Sequence, residues 1–302
     1  MKLEYIFPVF STSVWGISIV GAKIIGQDGF LPLEIVFFRF FLASLIFIPL
    51  LMILMRKKEG ILPKNKETWL MLIALSLTGV AVNNFIFYVG LARTNAGIAS
   101  LIVSLNPLMT MIFAVLILKE RFTRIKGYSI VFGIIGVGLI IGFTGNTGQL
   151  VGNLLILIAI SIWGASFSFS RKAADYGLQA IAITGWSEIL GTVWLLPSIL
   201  MHHSFSKLNS ISSSSIFWFV FMGLISSVIA YILHYHAISK LGATTVAPST
   251  NIIPLSGAIT SYLLLGETIP GYPIIGAIFI IAGVVLVQVD NLSKFSGDNI
   301  GE

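Results

Sequence analysis

The chain has 302 residues, of which 56% are hydrophobic and only 10% are charged, and it contains no cysteine. This composition lies far outside the range of soluble globular domains and is typical of an integral membrane protein. Disulfides and thiolate metal sites are excluded, and we expect no metal and no cofactor.

Apolar runs of roughly 20 residues, the length that crosses a hydrocarbon core, recur along the whole chain. The ten predicted spans cover residues 5–24, 31–55, 68–91, 95–118, 127–144, 150–170, 178–200, 215–239, 243–265 and 271–289. The first run follows Lys2 but has no cleavage site after it, so we interpret it as a retained helix. The sequence predicts an all-α membrane protein with ten transmembrane helices and a disordered end at 290–302.

The net charge of +6 is distributed unevenly between the two ends of these spans. If the N-terminus is cytoplasmic, only Lys23, Arg93 and Lys207 lie on the outer side, and the other lysines and arginines of the connections lie inside. The positive-inside rule explains this pattern without a nucleic-acid partner. We therefore expect a multi-pass protein of the cytoplasmic membrane with both termini in the cytoplasm.

The two halves of the chain carry matching residues at an offset of 147–149 positions. The aligned pairs are Trp15/Trp163, Gly16/Gly164, Lys23/Arg171, Pro49/Pro197, Trp69/Trp218, Tyr88/Tyr235, Pro107/Pro254 and Glu120/Glu267. Because each half holds five spans, an odd number, the second half crosses the membrane in the opposite direction. The pattern predicts two inverted-topology five-helix repeats, at 1–146 and 147–290, and a cytoplasmic tail at 291–302. Such repeats build secondary transporters around a site at the membrane midplane.

Three motifs occur once in each half, in its first and fourth spans. They are a Trp-Gly pair (Trp15-Gly16, Trp163-Gly164), a proline (Pro107, Pro254) and a glutamate at the end of the span (Glu120, Glu267). In these motifs the chain resembles the EamA family of the drug/metabolite transporter superfamily, and the resemblance covers nearly the whole chain. It implies a ten-helix transporter, often an exporter of amino acids, with a cavity lined mainly by spans 1, 3, 4, 6, 8 and 9.

Polar and aromatic side chains of those spans are the candidate substrate contacts. Asn84 and Tyr88 are four residues apart, and so are Tyr231 and Tyr235, so each pair shares one helix face. The tryptophans lie near mid-span, where an indole N–H needs an internal partner. The predicted substrate-binding residues are Trp15, Asn84, Tyr88, Ser104, Trp163, Tyr231, Tyr235 and Asn251. Helix packing and interhelical hydrogen bonding are the alternative interpretation.

Arg39 and Glu188 are charged residues well inside predicted spans, where a charge is costly and is a functional candidate by default. A mutual ion pair is one interpretation. In the other, Arg39 holds a substrate carboxylate and Glu188 binds an amine or a proton, with His234 as a further candidate for coupling. Protons are then a candidate coupling ion.

Two sets of residues bear on helix shape and assembly. Pro107, Pro248 and Pro254 each release a carbonyl four positions back and are predicted hinges. Gly138 and Gly142 form a GxxxG motif that could support a homodimer, but packing inside the chain is the interpretation we favour.

The motifs that the sequence lacks help to choose between an enzyme, a channel and a transporter. The chain has no HExxH, no GxSxG and no phosphate loop, and no aspartate lies within a span, so we do not expect an enzyme. A passive channel would need ion rings or a carbonyl filter, which the pattern does not offer. Without a basic cluster, phosphorylated substrates are disfavoured. The sequence predicts a secondary active transporter of small metabolites such as amino acids or amines, with the passive channel as the alternative.

Overall fold

The computed structural model describes residues 3–56, 59–142, 146–201, 211–269 and 271–298, and these ranges are helical apart from short connections. We label the main helices in chain order. They are α1 (Ile6–Gln27), α2 (Pro32–Met55), α3 (Lys66–Leu91), α4 (Ala96–Ile117), α5 (Arg124–Gly142), α6 (Thr147–Asp175), α7 (Ala180–Met201), α8 (Ser213–Leu241), α9 (Ile252–Leu265) and α10 (Gly271–Asp298).

Within the described residues, eight helices, α1 to α8, are long and apolar enough to cross a membrane. The apolar part of α10 is shorter, at Gly271–Leu286. Large apolar side chains face outward, among them Leu263 of α9, which is 70% exposed, and Ile134 of α5, which is 67% exposed. Outward-facing apolar surface of this kind suits lipid, so the predicted all-α membrane class is confirmed.

Prolines break two of the predicted continuous spans. In α4 the α-helix stops at Val103 and restarts at Asn106, and Pro107 occupies the first turn of the restarted helix. Residues 243–251, predicted as helix, form one α-turn and a 3-10 segment that starts beside Pro248. Pro254 lies in the first turn of α9. A missing N–H costs little at a helix start, so the chain restarts its helices at these prolines. Hinge motion there stays a prediction.

The prediction of a disordered end was wrong for residues 290–298, because α10 continues to Asp298. No proline or glycine interrupts the chain between 284 and 296, so helix propagation is not blocked. Residues 299–302 lie outside the described residues. The same holds for Lys2, Lys57, Lys58 and Lys207, which entered the charge argument.

The two Trp-Gly glycines are packing positions. A Cβ atom added at Gly16 of α1 would lie 2.6 Å from the carbonyl oxygen of Ile253, at the start of α9. One added at Gly164 of α6 would lie 2.6 Å from the Cβ of Met109 in α4. Contacts this short leave no room for a side chain, so each glycine lets two helices approach closely.

Helices α5 and α10 cross at a second pair of glycines. A Cβ atom at either Gly136 or Gly276 would lie 2.5 Å from the carbonyl oxygen of the other. At Gly138, by contrast, an added Cβ would meet no described atom within 4 Å. The favoured interpretation of Gly138 as an internal packing position was therefore wrong, because it points away from the helices that the structure describes.

Cationic side chains cap two helix ends. Lys23 of α1 donates to the carbonyls of Leu91 and Thr94 at the end of α3, at 2.8 and 2.7 Å. Arg171 of α6 donates to the carbonyls of Ile238 and Ser239 at the end of α8, at 3.2 and 2.9 Å. Both contacts place a cation at the negative end of the helix dipole, where it interacts favourably with the last carbonyls.

Candidate functional site

A cavity of about 60 Å³ lies at the centre of the bundle. Its wall combines one cation, two asparagines and a set of aromatic rings with aliphatic side chains. The predicted site residues that line it are Trp15, Arg39, Asn84, Tyr88, Trp163 and Tyr231. One water needs roughly 10–15 Å³ of such a space, so the cavity in this conformation holds a few waters or a very small solute.

Arg39 projects from α2 into this cavity and is only 5% exposed. Its Nε donates to Ser227 Oγ at 2.8 Å, and one terminal nitrogen donates to Tyr88 Oη at 2.7 Å. The other terminal nitrogen donates to Ser226 Oγ at 3.1 Å. The Oδ1 of Asn84 lies 3.5 Å away, at the limit of a hydrogen bond. All of these oxygens are neutral acceptors from α3 and α8, so the guanidinium ties α2 to both helices.

The partners of Arg39 lie in or next to π-helical segments. Residues Ser76–Ala81 of α3 and Phe221–Ala230 of α8 are π-helical, and Ser226 and Ser227 belong to the second segment. Wider helical turns of this kind occur often at functional sites. The side-chain amide of Asn84 donates to two carbonyls of the first segment, those of Gly79 at 3.2 Å and Val80 at 3.0 Å. Its amide is thereby held with the oxygen toward Arg39.

Aromatic rings form another part of the cavity wall. The ring centroids of Trp15 and Trp163 are 5.3 Å apart in an edge-to-face arrangement, and those of Trp15 and Tyr231 are 4.7 Å apart. The indole N–H of Trp15 donates to the carbonyl of Ser226 at 3.1 Å, which is the internal partner that its depth requires. The indole nitrogen of Trp163 has no hydrogen-bond partner among the described residues.

Several predicted site residues lie outside the wall of the cavity. Ser104 donates to the carbonyl of Leu101 at 2.6 Å, so its hydroxyl serves its own helix. Tyr235 is buried behind Tyr231, with ring centroids 5.5 Å apart. His234 packs between Trp15 and Phe167, at centroid distances of 4.7 and 5.0 Å.

Several polar atoms of these residues are buried but unpaired. Neither the hydroxyl of Tyr235, the ring nitrogens of His234, nor the side-chain oxygen of Asn251 has a hydrogen-bond partner in the described part of the chain. Unsatisfied groups of this kind are uncommon in folded proteins and need an explanation.

Glu188 of α7 is 1% exposed and does not line the cavity. Neither of its carboxylate oxygens has a hydrogen-bond partner among the described residues. It lies close enough to Arg39, Tyr231 and Tyr235 to interact with them electrostatically. No ion pair joins it to Arg39 within 4 Å in the described ranges, so the interpretation as a contact ion pair does not hold here.

The two glutamates at the span ends have structural contacts. Glu267 accepts from the backbone N–H of Gly97 at 3.2 Å, at the start of α4. Glu120 forms an ion pair with Lys126 at 3.1 Å. Both carboxylates therefore tie helix ends together and lie away from the central cavity.

The sequence of the chain matches the model of a known protein family. The model of the EamA-like transporter family matches residues 2–142 and again residues 150–289. The chain belongs to the EamA-like transporter family. The sequence-based identification is thus confirmed, and the protein is a multi-pass membrane protein.

Relatives support the same assignment. An uncharacterized transporter of Archaeoglobus fulgidus is 26% identical over 90% of this chain and 93% of its own length. A probable amino-acid metabolite efflux pump of Salmonella typhimurium is 25% identical over 90% of both chains, and a probable terminal-alkyne amino-acid exporter of Streptantibioticus cattleyicolor is 25% identical over 74% of both. A solved crystal structure with 16% identity superposes with a TM-score of 0.68 over 95% of this chain and 98% of that one, which shows a shared fold.

Spans 1, 3, 4, 6, 8 and 9 all contribute to the cavity wall, as the resemblance implied, and α2 adds Arg39, a candidate from the sequence and the only charged lining residue among the described ones. Two features of this EamA-like site were missed by sequence reasoning. Ser226 and Ser227, which hold Arg39, were not predicted. The Ser-Ser doublet in an otherwise apolar run was the available signal. Asn83 also lines the cavity beside Asn84.

Proposed function

We propose that this protein is a secondary active transporter that exports small metabolites such as amino acids or amines across the cytoplasmic membrane by alternating access. The observation that carries the proposal is the central cavity, where a cation and aromatic rings from helices of both halves of the chain converge. Membership of the family and the names of two relatives, an amino-acid metabolite efflux pump and an amino-acid exporter, support it.

The proposed architecture is ten transmembrane helices in two inverted repeats, at 1–146 and 147–290, with both termini in the cytoplasm. Two observations support it: the family model matches each half separately, and aligned cations cap aligned helix ends. Phe7, at the start of α1, shares a surface cavity with Gly177 and Ser239 near the Arg171 cap. Lys23 is at the other end of α1, so the two caps lie at opposite ends of the bundle, as inverted repeats require.

The driving ion and the assembly belong to the same proposal. A proton is the coupling ion that fits the chain best, because Glu188 is a buried carboxylate without hydrogen-bond partners among the described residues. His234 is the second candidate. A homodimer through the face of α5 that carries Gly138 remains a prediction.

Counterflow in proteoliposomes tests the proposed function. Vesicles are loaded with an unlabelled amino acid or amine, and uptake of a trace of the labelled compound is followed. A carrier exchanges one molecule for another, so the label should accumulate transiently above its external concentration. A channel would equilibrate the labelled compound across the membrane without an overshoot. If none of the amino acids and amines tested were taken up, the proposal of a transporter for these compounds would be contradicted.

A matched pair of variants on α6 ties the transport to the cavity. Ile160 lines it and is 2% exposed, whereas Ile158 on the same helix is 50% exposed and faces outward. Ile160→Trp should abolish counterflow by filling the cavity, and Ile158→Trp should leave it intact. Gel filtration of both variants checks that they remain folded.

A further inference from the structure

The charge of Arg39 is not neutralised by any contact in the described part of the chain. Its hydrogen-bond partners are hydroxyl and amide oxygens, and no carboxylate lies within 4 Å of it. A buried cation with only neutral partners is unfavourable, and an anion in contact with it would remove much of that cost.

A ligand anion can reach this cation, because Arg39 lines the cavity. Glu188 does not line it and makes no contact with Arg39, so the protein's own buried carboxylate does not occupy the position. A guanidinium offers five N–H donors in a planar fork that matches the two oxygens of a carboxylate. The hydroxyls of Tyr88 and Ser226 can rotate to donate to the same oxygens.

The rest of the described cavity wall contains no acidic side chain. An amine without a carboxylate would enter beside Arg39 with no negative charge on the cavity wall to contact either cation. The ammonium group of an amino acid, in contrast, is accompanied by its own carboxylate and can lie against the faces of Trp15 and Trp163, which attract cations. The same indoles suit an apolar or aromatic side chain.

We propose that the site selects for a free carboxylate: Arg39 binds the carboxylate of a small amino acid or related monocarboxylic acid, and the matching amine or amide is rejected. This narrows the substrate class of the proposed transporter and therefore rests on that proposed function. The sequence left both amino acids and amines open as substrates. In this proposal Arg39 is the residue that makes the protein prefer amino acids.

Ligand sets that share one carbon skeleton test the selection on the unmodified protein. Leucine, leucinamide and isoamylamine form one set, and phenylalanine, phenylalaninamide and 2-phenylethylamine form another. Thermal stabilisation and the dissociation constant of each are measured for the purified protein. We expect the two acids to bind at least about tenfold more tightly than their amides and amines, since a charge-assisted bidentate contact is lost in the latter. Equal or tighter binding of the amides or amines overturns the proposal.

Variants locate the effect at Arg39. Arg39→Gln should weaken the binding of the acids at least about tenfold and bring it to the level of the amides, and Arg39→Lys should retain part of the preference because it keeps the charge without the fork. Arg93→Gln is the matched control, since Arg93 is exposed and donates to a backbone carbonyl of its own helix at 2.7 Å. Unchanged binding of the acids by folded Arg39→Gln protein also overturns the proposal. The ligand sets decide the question even if that variant does not fold.

Counterflow separates this proposal from the function on which it rests. Transport of amines without binding of acids would leave a transporter whose site does not select a carboxylate. Preferential binding of acids without counterflow would support the Arg39 site and contradict the transport cycle.

Discussion

Arg39 and Glu188 are both charged residues buried inside the bundle, and their surroundings differ. Arg39 has hydrogen bonds to three hydroxyl groups and faces the cavity. Glu188 has no hydrogen-bond partner among the described residues and lies outside the cavity wall. A buried polar group that is fully paired holds helices together, whereas one that is unpaired destabilises the fold and is kept for another reason. This difference supports the proposals that Arg39 is a binding and structural group and that Glu188 is the coupling group.

The aligned tyrosines of the two halves repeat the contrast. The hydroxyl of Tyr88 accepts from Arg39 at 2.7 Å, while the hydroxyl of Tyr235 has no partner in the described part of the chain. Positions that match in the sequence thus have different hydrogen bonding.

The largest expected effect is on coupling, through Glu188→Gln. Glutamine keeps the shape of the side chain but cannot exchange a proton, so counterflow should continue while uptake driven by a pH gradient falls to the level without a gradient. Proteoliposomes assayed with and without the imposed gradient measure both. Glu34→Gln is the control, because Glu34 is also buried but caps the start of α2 by accepting from the N–H of Leu31 at 2.6 Å.

A Glu188→Gln protein that still responds fully to the gradient would remove this residue from the coupling step. His234, buried with both ring nitrogens unpaired among the described residues, would then be the remaining candidate. The contrast between the two buried charges would also lose its functional meaning, since an unpaired carboxylate would have no role that its amide cannot fill.

A smaller effect is expected from removing one hydroxyl in each half. Tyr88→Phe deletes an acceptor of the buried guanidinium and should lower the free energy of unfolding by on the order of 1 kcal/mol, the usual range for such bonds between membrane helices. Tyr235→Phe removes a hydroxyl that has no described partner and should leave stability unchanged or slightly raised. Denaturant titrations of the two purified variants compare them directly. Equal losses would show that the hydroxyls are equivalent and that the contrast between the halves is wrong.

Much of the fold was predictable, because lipid imposes a simple rule on helix length and polarity. The apolar runs gave the positions of α1 to α8, and the Trp-Gly repeats marked true packing positions at Gly16 and Gly164. Pro248 was a predicted hinge, but the extent of the break at 243–251 and the helical end of α10 were not foreseen, since hydropathy does not record where backbone hydrogen bonding changes.

The site was predictable in its residue types but less so in their contacts. Arg39 was a candidate from its depth, and Trp15 and Tyr88 were candidates from depth, spacing and the family resemblance; all three line the cavity. Ser104 and Tyr235 were candidates by the same argument, yet they point elsewhere. Spacing places Tyr231 and Tyr235 on one face of a regular α-helical stretch, but it does not record which neighbouring side chain lies between a residue and the cavity, as Tyr231 does for Tyr235.

The smallest effect is expected at Asp28, a charge that is paired like Arg39 but exposed. It lies between α1 and α2 and accepts from the hydroxyls of Ser212 and Ser215, the latter at 2.7 Å, at the start of α8. These hydrogen bonds hold the pKa of Asp28 below its ordinary value. A carboxyl with a lowered pKa stabilises the fold above the ordinary value of about 3.9, and the contribution disappears as the pH falls through the folded-state pKa.

Asp28→Asn should therefore lower stability slightly at neutral pH, by less than about 0.5 kcal/mol because solvent screens an exposed carboxylate. The difference from the unmodified protein should shrink as the pH falls below about 4. Thermal unfolding of both proteins over this pH range measures this difference in stability. When Ser212→Ala and Ser215→Ala are introduced together, the contribution of Asp28 to stability should no longer depend on pH in this range. A loss as large as that of Tyr88→Phe would mean that pairing alone sets the strength of these contacts, and that the burial of Arg39 adds nothing.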